Sequence, residues 1–112
     1  MGMTRLRRAG RLSAALVFGG MILLATAGTA LAAGVTMVDN DFSPGSVSIA
    51  AGESVTFSNN GDSPHTATAD DGSFDTGDLD KGDSKSVLLD EPGTYTYFCR
   101  FHPFMKATVE VQ

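Results

Sequence analysis

The sequence has few of the residues that usually cross-link a small protein, catalyse reactions or fill its core with large rings: one cysteine, two histidines and no tryptophan among 112 residues. A single cysteine cannot form a disulfide within the chain, so covalent cross-linking is excluded as a source of stability. The fold must therefore rely on its hydrophobic core, or on a ligand that binds only the folded state. The unpaired thiol of Cys99 must therefore be explained by a role other than disulfide formation.

Acidic residues are absent from the first 33 positions. Four arginines lie at positions 5, 7, 8 and 11, and the apolar run LSAALVFGGMILLATAGTALAA follows them. The run ends in small residues, with Ala30 and Ala32 in an A-x-A arrangement that is typical of a cleaved secretory signal peptide. We predict a signal peptide over residues 1–32, cleavage after Ala32 or Ala33, and export to the periplasm, the cell surface or the extracellular space. A retained membrane anchor is the alternative, because about 20 apolar residues can span a bilayer.

The predicted signal peptide contains half of the basic residues and none of the acidic ones. Without it, four lysines and arginines face thirteen aspartates and glutamates, which gives residues 33–112 a formal charge of −9. Such a charge repels nucleic acids and anionic membrane surfaces, so we expect neither as a partner. A protein partner with a basic face is favoured instead. About 80 residues suffice for one small domain.

Short alternations of apolar and polar residues dominate residues 33–112. Alternation with period two, in β-branched and aromatic residues, predicts half-buried strands, and no stretch has the pattern of an amphipathic helix. Glycine and proline turns separate the alternations. We therefore predict an all-β fold, a small antiparallel Greek-key sandwich or barrel of about six or seven strands. The alternating pairs are Val35/Met37, Val47/Ile49, Val55/Phe57, Val87/Leu89, Tyr95/Tyr97 and Val109/Val111.

Residues 69–86, ADDGSFDTGDLDKGDSKS, form the least regular stretch and contain six aspartates. A calcium loop is one interpretation, since calcium prefers several carboxylate oxygens. The EF-hand spacing is absent, however, and no glutamate closes the loop. We expect a solvated acidic connection with Phe74 and Leu79 tucked beneath it.

Residues 99–105, CRFHPFM, place the cysteine, one histidine and a methionine at the spacing Cys-x-x-His-x-x-Met. The preceding pattern TYTYFC puts both tyrosines and Cys99 on one face of a strand, so Cys99 points inward if the tyrosines do. Pro103 cannot donate a strand hydrogen bond and favours a reversal of the chain. A tight reversal would gather Cys99, His102 and Met105 around one point.

This set of donors favours a copper site. A soft thiolate, an imidazole and a thioether suit copper and are poor ligands for calcium or magnesium, and zinc would prefer four strong ligands. His65, the other histidine, would complete a set of two histidines, one cysteine and an axial methionine. A nucleophilic Cys99–His102 pair is an alternative, but it leaves Met105 without a role and lacks a third orienting group.

The stretch PGTYTYFCRFHPFM resembles the C-terminal copper loop of the cupredoxins, the small blue copper proteins that include plastocyanin and amicyanin. Its short spacing from cysteine to methionine is most similar to amicyanin. Residues 41–66, DFSPGSVSIAAGESVTFSNNGDSPHT, resemble the segment that leads to the family's first histidine ligand. The resemblance implies one type 1 copper ion per chain, with ligands at His65, Cys99, His102 and Met105.

The sequence departs from the family's pattern at three positions. Thr66 stands where relatives often have an asparagine that braces the ligand loop, so we expect a weaker brace here. Lys85 replaces a common aromatic residue, and Ala107 replaces a common glycine. None of these changes affects the implied ligands.

The resemblance implies an electron carrier that is not an enzyme, a monomer that cycles between Cu(I) and Cu(II). Two histidines are too few for the additional copper cluster of a multicopper oxidase. A transient redox partner would dock near Phe101, His102, Pro103 and Phe104. A copper-binding, storage or delivery protein would use the same four ligands and is the alternative function. A third possibility is a structural sandwich that dimerises through Cys99.

Overall fold

The computed structural model describes residues 33–112, which form eight β-strands and no α-helix. No helix in this range has the length and apolar character needed to cross a membrane. The predicted signal peptide, residues 1–32, lies outside the described residues and stays a prediction. The strands are β1 (Ala33–Val38), β2 (Asp41–Ser43), β3 (Ser46–Ile49), β4 (Glu53–Asn59), β5 (Thr68–Ala69), β6 (Ser84–Leu89), β7 (Gly93–Phe98) and β8 (Lys106–Val111).

The strands form two four-stranded sheets, in the orders β2-β1-β4-β6 and β3-β8-β7-β5. The predicted all-β fold is confirmed, and all six alternating pairs lie in strands. The structure differs in having two further strands, because β2 and β5 have only three and two residues and are too short for an alternation to show. It also differs in that β1 pairs with β4, and β3 with β8, in parallel. The chain leaves the first sheet to form β3 and returns as β4, so β4 runs in the same direction as β1.

Aromatic residues fill the space between the sheets. The ring of Tyr97 lies 4.8 Å from that of Phe42, 5.4 Å from Phe57 and 5.9 Å from Phe74, measured between ring centroids. Phe74 and Leu79 are buried beneath the acidic connection, as predicted. This packed core fixes the end of β7, immediately before Cys99.

Tyr97 brings a hydroxyl group into this core. The side chain is fully buried, and its hydroxyl finds no hydrogen-bond partner among residues 33–112. Burial raises the pKa of the Tyr97 hydroxyl far above its ordinary value near 10. The folded state therefore holds Tyr97 neutral, whereas the unfolded chain ionises it at about pH 10. Below that pH the group has no pH-dependent effect on stability, and above it the folded state is progressively destabilised as the pH rises towards the raised pKa.

We predict that Tyr97→Phe increases the free energy of unfolding by about 1 kcal/mol at neutral pH, because it removes an unpaired buried hydroxyl. The variant should also resist alkaline unfolding better than the unmodified protein. Chemical unfolding at neutral pH and above about pH 10 measures both effects. Tyr95→Phe is the matched control, since the Tyr95 hydroxyl donates to the Glu91 carbonyl at 2.6 Å and is exposed. A loss of stability in Tyr97→Phe at both pH values would contradict the prediction.

Candidate metal centre

The reversal between β7 and β8 is closed by hydrogen bonds of its own backbone. The Cys99 amide donates to the Met105 carbonyl at 3.2 Å, which joins the two ends of the loop. Inside it, the His102 amide donates to the Cys99 carbonyl at 3.2 Å and the Met105 amide donates to the His102 carbonyl at 2.8 Å. These bonds tie the three predicted ligands of this loop to one another. The reversal predicted at Pro103 is confirmed.

His65 reaches the same region from a different part of the chain, the connection between β4 and β5. Its backbone pairs with Leu79, donating to that carbonyl at 3.0 Å and accepting from that amide at 2.9 Å. The anchoring residue Leu79 is itself buried under the acidic connection. The connection therefore holds His65 at a fixed place next to the loop.

The donor atoms of both histidines surround the thiol. The Cys99 Sγ lies 3.7 Å from His65 Nδ1 and 3.7 Å from His102 Nδ1. The three ligand atoms all lie within 4.8 Å of one another. Donors that share one first-row metal ion at about 2.0 to 2.3 Å lie roughly 3.5 to 4 Å apart. The distances therefore fit a single ion between the three side chains.

The chemistry of the cluster fits copper. Cys99, His65 and Met105 are fully buried, and His102 is partly exposed. A thiolate, two imidazoles and a thioether are the donor set that suits copper and not a hard cation. Within residues 33–112 this is the one place where at least three histidine, cysteine or acidic side chains converge as ligands. The aspartates of the acidic connection do not converge, which argues against the calcium interpretation.

The Cys99 sulfur also accepts a hydrogen bond. The backbone amide of Thr66, next to His65, donates to Cys99 Sγ at 3.4 Å. A hydrogen-bond donor at the sulfur draws electron density from a thiolate, and this changes the reduction potential of a metal bound to that thiolate. Thr66 thus acts on the Cys99 sulfur through its backbone amide.

The side chain of Thr66 braces the loop of residues 99–105, which we call the ligand loop. That this brace is weaker than one from asparagine stays a prediction. The Thr66 Oγ1 accepts from the Arg100 amide at 2.9 Å and contacts the Thr68 hydroxyl at 2.9 Å. Thr68 donates its proton to Asp75 at 3.2 Å, so Thr66 donates to Thr68. The Arg100 guanidinium lies 3.3 Å from Asp78 and 3.6 Å from Asp75. The ligand loop is therefore tied to the acidic connection.

Two residues that contribute to the surroundings of His65 were not predicted from the sequence. Asn59 is buried and holds its turn with three bonds: it accepts from the Gly61 amide at 2.8 Å and donates to the carbonyls of Ser63 at 2.9 Å and Leu79 at 2.7 Å. Asp39 places Oδ1 at 3.2 Å from His65 Nε2. The turn-forming stretch NNGDSP could have indicated that Asn59 holds a turn. No local pattern connects Asp39 with a histidine 26 positions away.

Comparison with known proteins gives the class of the protein. Residues 12–111 match the family model of the cupredoxin-like domain, and the chain therefore belongs to the cupredoxin-like family. This confirms the predicted resemblance, the copper cofactor and the interpretation as an electron carrier rather than an enzyme.

Individual relatives agree with the family. Plastocyanin A'/A'' of Nicotiana tabacum is 38% identical over 74 residues, which cover 54% of this chain and 75% of the relative. A purple cupredoxin from Nitrosopumilus maritimus superimposes with a TM-score of 0.67 at 26% identity, covering 72% of this chain and all of the other. An oxidized amicyanin mutant superimposes with a TM-score of 0.66 at 25% identity, covering 70% of this chain and 80% of the other. The chain is thus similar to both of the cupredoxin types that its sequence resembles.

We predict that Thr66→Val lowers the free energy of unfolding of the metal-free protein by about 1 to 2 kcal/mol, because the Arg100 amide loses its acceptor. Denaturant unfolding measures the loss. Thr56→Val is the control: its hydroxyl bonds to Ser86 at 2.7 Å on an exposed face, so its effect should stay within about 0.5 kcal/mol. Equal losses in the two variants would show that Thr66 has no special bracing role.

Proposed function

We propose that the chain is an exported type 1 copper protein that carries single electrons between redox partners, with His65, Cys99, His102 and Met105 as the copper ligands. The observation that carries the proposal is the position of Cys99 Sγ, buried and 3.7 Å from Nδ1 of both histidines. Bound copper would supply the one-electron chemistry, by exchange between Cu(I) and Cu(II). Export is supported by the arginine-rich start, the apolar run and the A-x-A arrangement of residues 30–32.

The contribution of the protein is to hold the ligands in one arrangement. The loop that contains Cys99, His102 and Met105 joins two strands paired over their whole length, from Gly93 opposite Val111 to Phe98 opposite Lys106. His65 is fixed separately by its pairing with Leu79. Ligands anchored in this way change position little with oxidation state, which favours rapid electron exchange. Burial of three of the four side chains also excludes water.

The same burial favours an electron carrier over a copper-delivery protein. A delivery protein must pass its ion to an acceptor, and this requires ligands that an acceptor can reach. Here only His102 is partly exposed among the four proposed ligands. We therefore expect the reduced protein to retain Cu(I) when it is mixed with a copper-free acceptor.

We predict that the purified protein with one equivalent of Cu(II) shows an intense visible band from thiolate-to-copper charge transfer, bleached by a mild reductant and restored by reoxidation. Cys99→Ser should abolish the band, because the thiolate is lost. Met105→Leu should keep the band and change the reduction potential, because only the weakly binding thioether would be lost. Absorption spectroscopy and a redox titration measure these effects.

A folding control separates the loss of a ligand from misfolding of the two variants. Both substitutions alter buried side chains, so circular dichroism of the metal-free variants must show the strand content of the unmodified protein. A strong visible band that survives in a folded Cys99→Ser variant would refute the ligand assignment. A colourless unmodified protein would refute the type 1 site.

We further propose that a redox partner docks on an exposed apolar patch around His102, made by Phe101, Pro103 and Phe104. Phe101 is 47% exposed and Phe104 is 66% exposed, and the Phe104 ring lies 6.0 Å from the His102 ring. The patch surrounds the one proposed ligand that is not fully buried, so it offers the shortest route for an electron. Small, transient interfaces are typical of such encounters. The charge of −9 on residues 33–112 favours a partner with a basic face.

We predict that Phe104→Ala lowers the bimolecular rate of electron transfer to a basic cytochrome roughly tenfold, the effect of losing about 1.4 kcal/mol of contact with the partner. The visible spectrum should not change. Stopped-flow kinetics measure the rate, and a fall in rate with added salt would support the basic partner.

The control for this prediction is Leu88→Ala. Leu88 is 59% exposed, and its neighbour Leu89 accepts from the Gly52 amide at the opposite end of the sandwich from Cys99. Its removal should leave the rate unchanged. A rate that is equal in all three proteins would refute the docking patch.

A further inference from the structure

The buried histidine of the site contacts a different group with each of its ring nitrogens. Nδ1 of His65 lies 3.7 Å from Cys99 Sγ, and Nε2 lies 3.2 Å from Oδ1 of Asp39. His65 is fully buried, whereas the side chain of Asp39 is 42% exposed. The carboxylate therefore closes the site on its outer side, and the imidazole lies between a negative group and the thiol.

The turn at residues 61–63 holds the Asp39 carboxylate in place through two backbone amides, independently of His65. Oδ1 accepts from the Ser63 amide at 3.2 Å and Oδ2 accepts from the Asp62 amide at 3.3 Å. A carboxylate held by two backbone donors from one turn stays close to the imidazole.

Gly61 makes room for this contact. A Cβ atom at position 61 would lie 2.5 Å from Asp39 Oδ1, which is too close for a side chain, and a tight 3.0 Å from both the Asp39 backbone nitrogen and His65 Nε2. A larger residue would therefore push the carboxylate away from the ring. The absence of a side chain at Gly61 is thus part of the Asp39–His65 contact.

We propose that Asp39 is a positioning residue: it keeps the proton of His65 on Nε2, directs the free pair of Nδ1 towards Cys99, and favours Cu(II) over Cu(I). A carboxylate only accepts hydrogen bonds, so the neutral imidazole must present its N–H to Asp39. The remaining nitrogen then has no proton and can bind a metal. The part of the proposal that concerns copper rests on the proposed function above, and the part that concerns the proton does not.

The charge of Asp39 acts through the imidazole. An exposed carboxylate with no direct contact is screened by water and has little effect. A carboxylate that accepts the other N–H of a metal-bound histidine raises the basicity of that ligand. A more basic ligand stabilises the more highly charged ion. Asp39 should therefore lower the reduction potential.

The first experiment compares two substitutions that remove the same charge. Asp39→Asn keeps an acceptor oxygen for His65 and removes the charge, whereas Asp62→Asn removes the charge of a neighbouring carboxylate that pairs with Lys81 at 2.7 Å. We expect Asp39→Asn to shift the Cu(II)/Cu(I) equilibrium about tenfold towards Cu(I), which raises the reduction potential by about 59 mV. Asp62→Asn should shift it much less. Equal shifts, or no shift, would overturn the electronic part of the proposal.

The second experiment needs no copper. Nitrogen-15 spectra of the metal-free protein at about pH 8 show which nitrogen of His65 holds the proton. We expect a single Nε2–H tautomer in the unmodified protein and a mixture in Asp39→Ala. Gly61→Ala should resemble Asp39→Ala, although it keeps the carboxylate.

The outcomes of this experiment separate the inference from the proposed function. An Nδ1–H tautomer in the unmodified protein would overturn the positioning role, and so would an unchanged Nε2–H tautomer in a folded Asp39→Ala variant. An Nε2–H tautomer that depends on Asp39, in a protein that gives no blue copper band, would uphold the positioning role and refute the copper carrier. His102 provides an internal reference, since the nitrogen-15 signals of its ring should be the same in all of these proteins.

Discussion

The rest of the site depends on the hydrogen bond between the Cys99 amide and the Met105 carbonyl, which closes the loop of residues 99–105. This bond continues the ladder between β7 and β8 by one step beyond the last strand pair, Phe98 and Lys106. The intervening residues must therefore reverse within a span that holds both ends of the loop side by side. Under this constraint, His102 can lie only a few ångströms from the cysteine, and its Nδ1 is 3.7 Å from the sulfur. The loop gathers three of the proposed ligands, and the fold has to supply only His65.

Bringing His65 to this point requires polar groups in the interior, which small domains otherwise avoid because unpaired polar groups are costly to bury. The polar residues that are buried among residues 33–112 are Asn59, His65, Thr66 and Thr76, and all of them lie in the stretch that leads to and from His65. Their side chains hold backbone groups: Asn59 holds the turn before His65, and Thr66 holds the amide of Arg100. Apart from the Tyr97 hydroxyl, the remaining core is apolar. Buried polarity is thus concentrated where the site needs rigidity, and fully bonded networks of this kind specify one arrangement.

The parts of this arrangement that depend on short-range patterns could be predicted from the sequence. The spacing of Cys99, His102 and Met105 became spatial proximity because one tight loop contains them, and the alternation TYTYFC correctly gave the inward direction of Cys99. Pairings between distant segments were not predictable in the same way. Alternation shows which residues face the core, but not whether β1 runs parallel to β4, because the excursion to β3 decides that direction. The contact of Asp39 with His65 depends on the same long-range pairing, since the β1–β2 turn reaches the turn at residues 61–63 only in the assembled sheet.

The two histidines have the same donor atom facing the sulfur, but their surroundings differ. His65 is fully buried, with its second nitrogen on a carboxylate, whereas His102 is partly exposed beside Phe104. An electron carrier must both set the stability of its oxidised state and let electrons pass to a partner. A charged group at the exposed histidine would also meet the partner, so any change in tuning there would change docking as well. Placing the carboxylate on the buried histidine separates the two requirements, because the potential can then be set from one side of the site and contact made from the other.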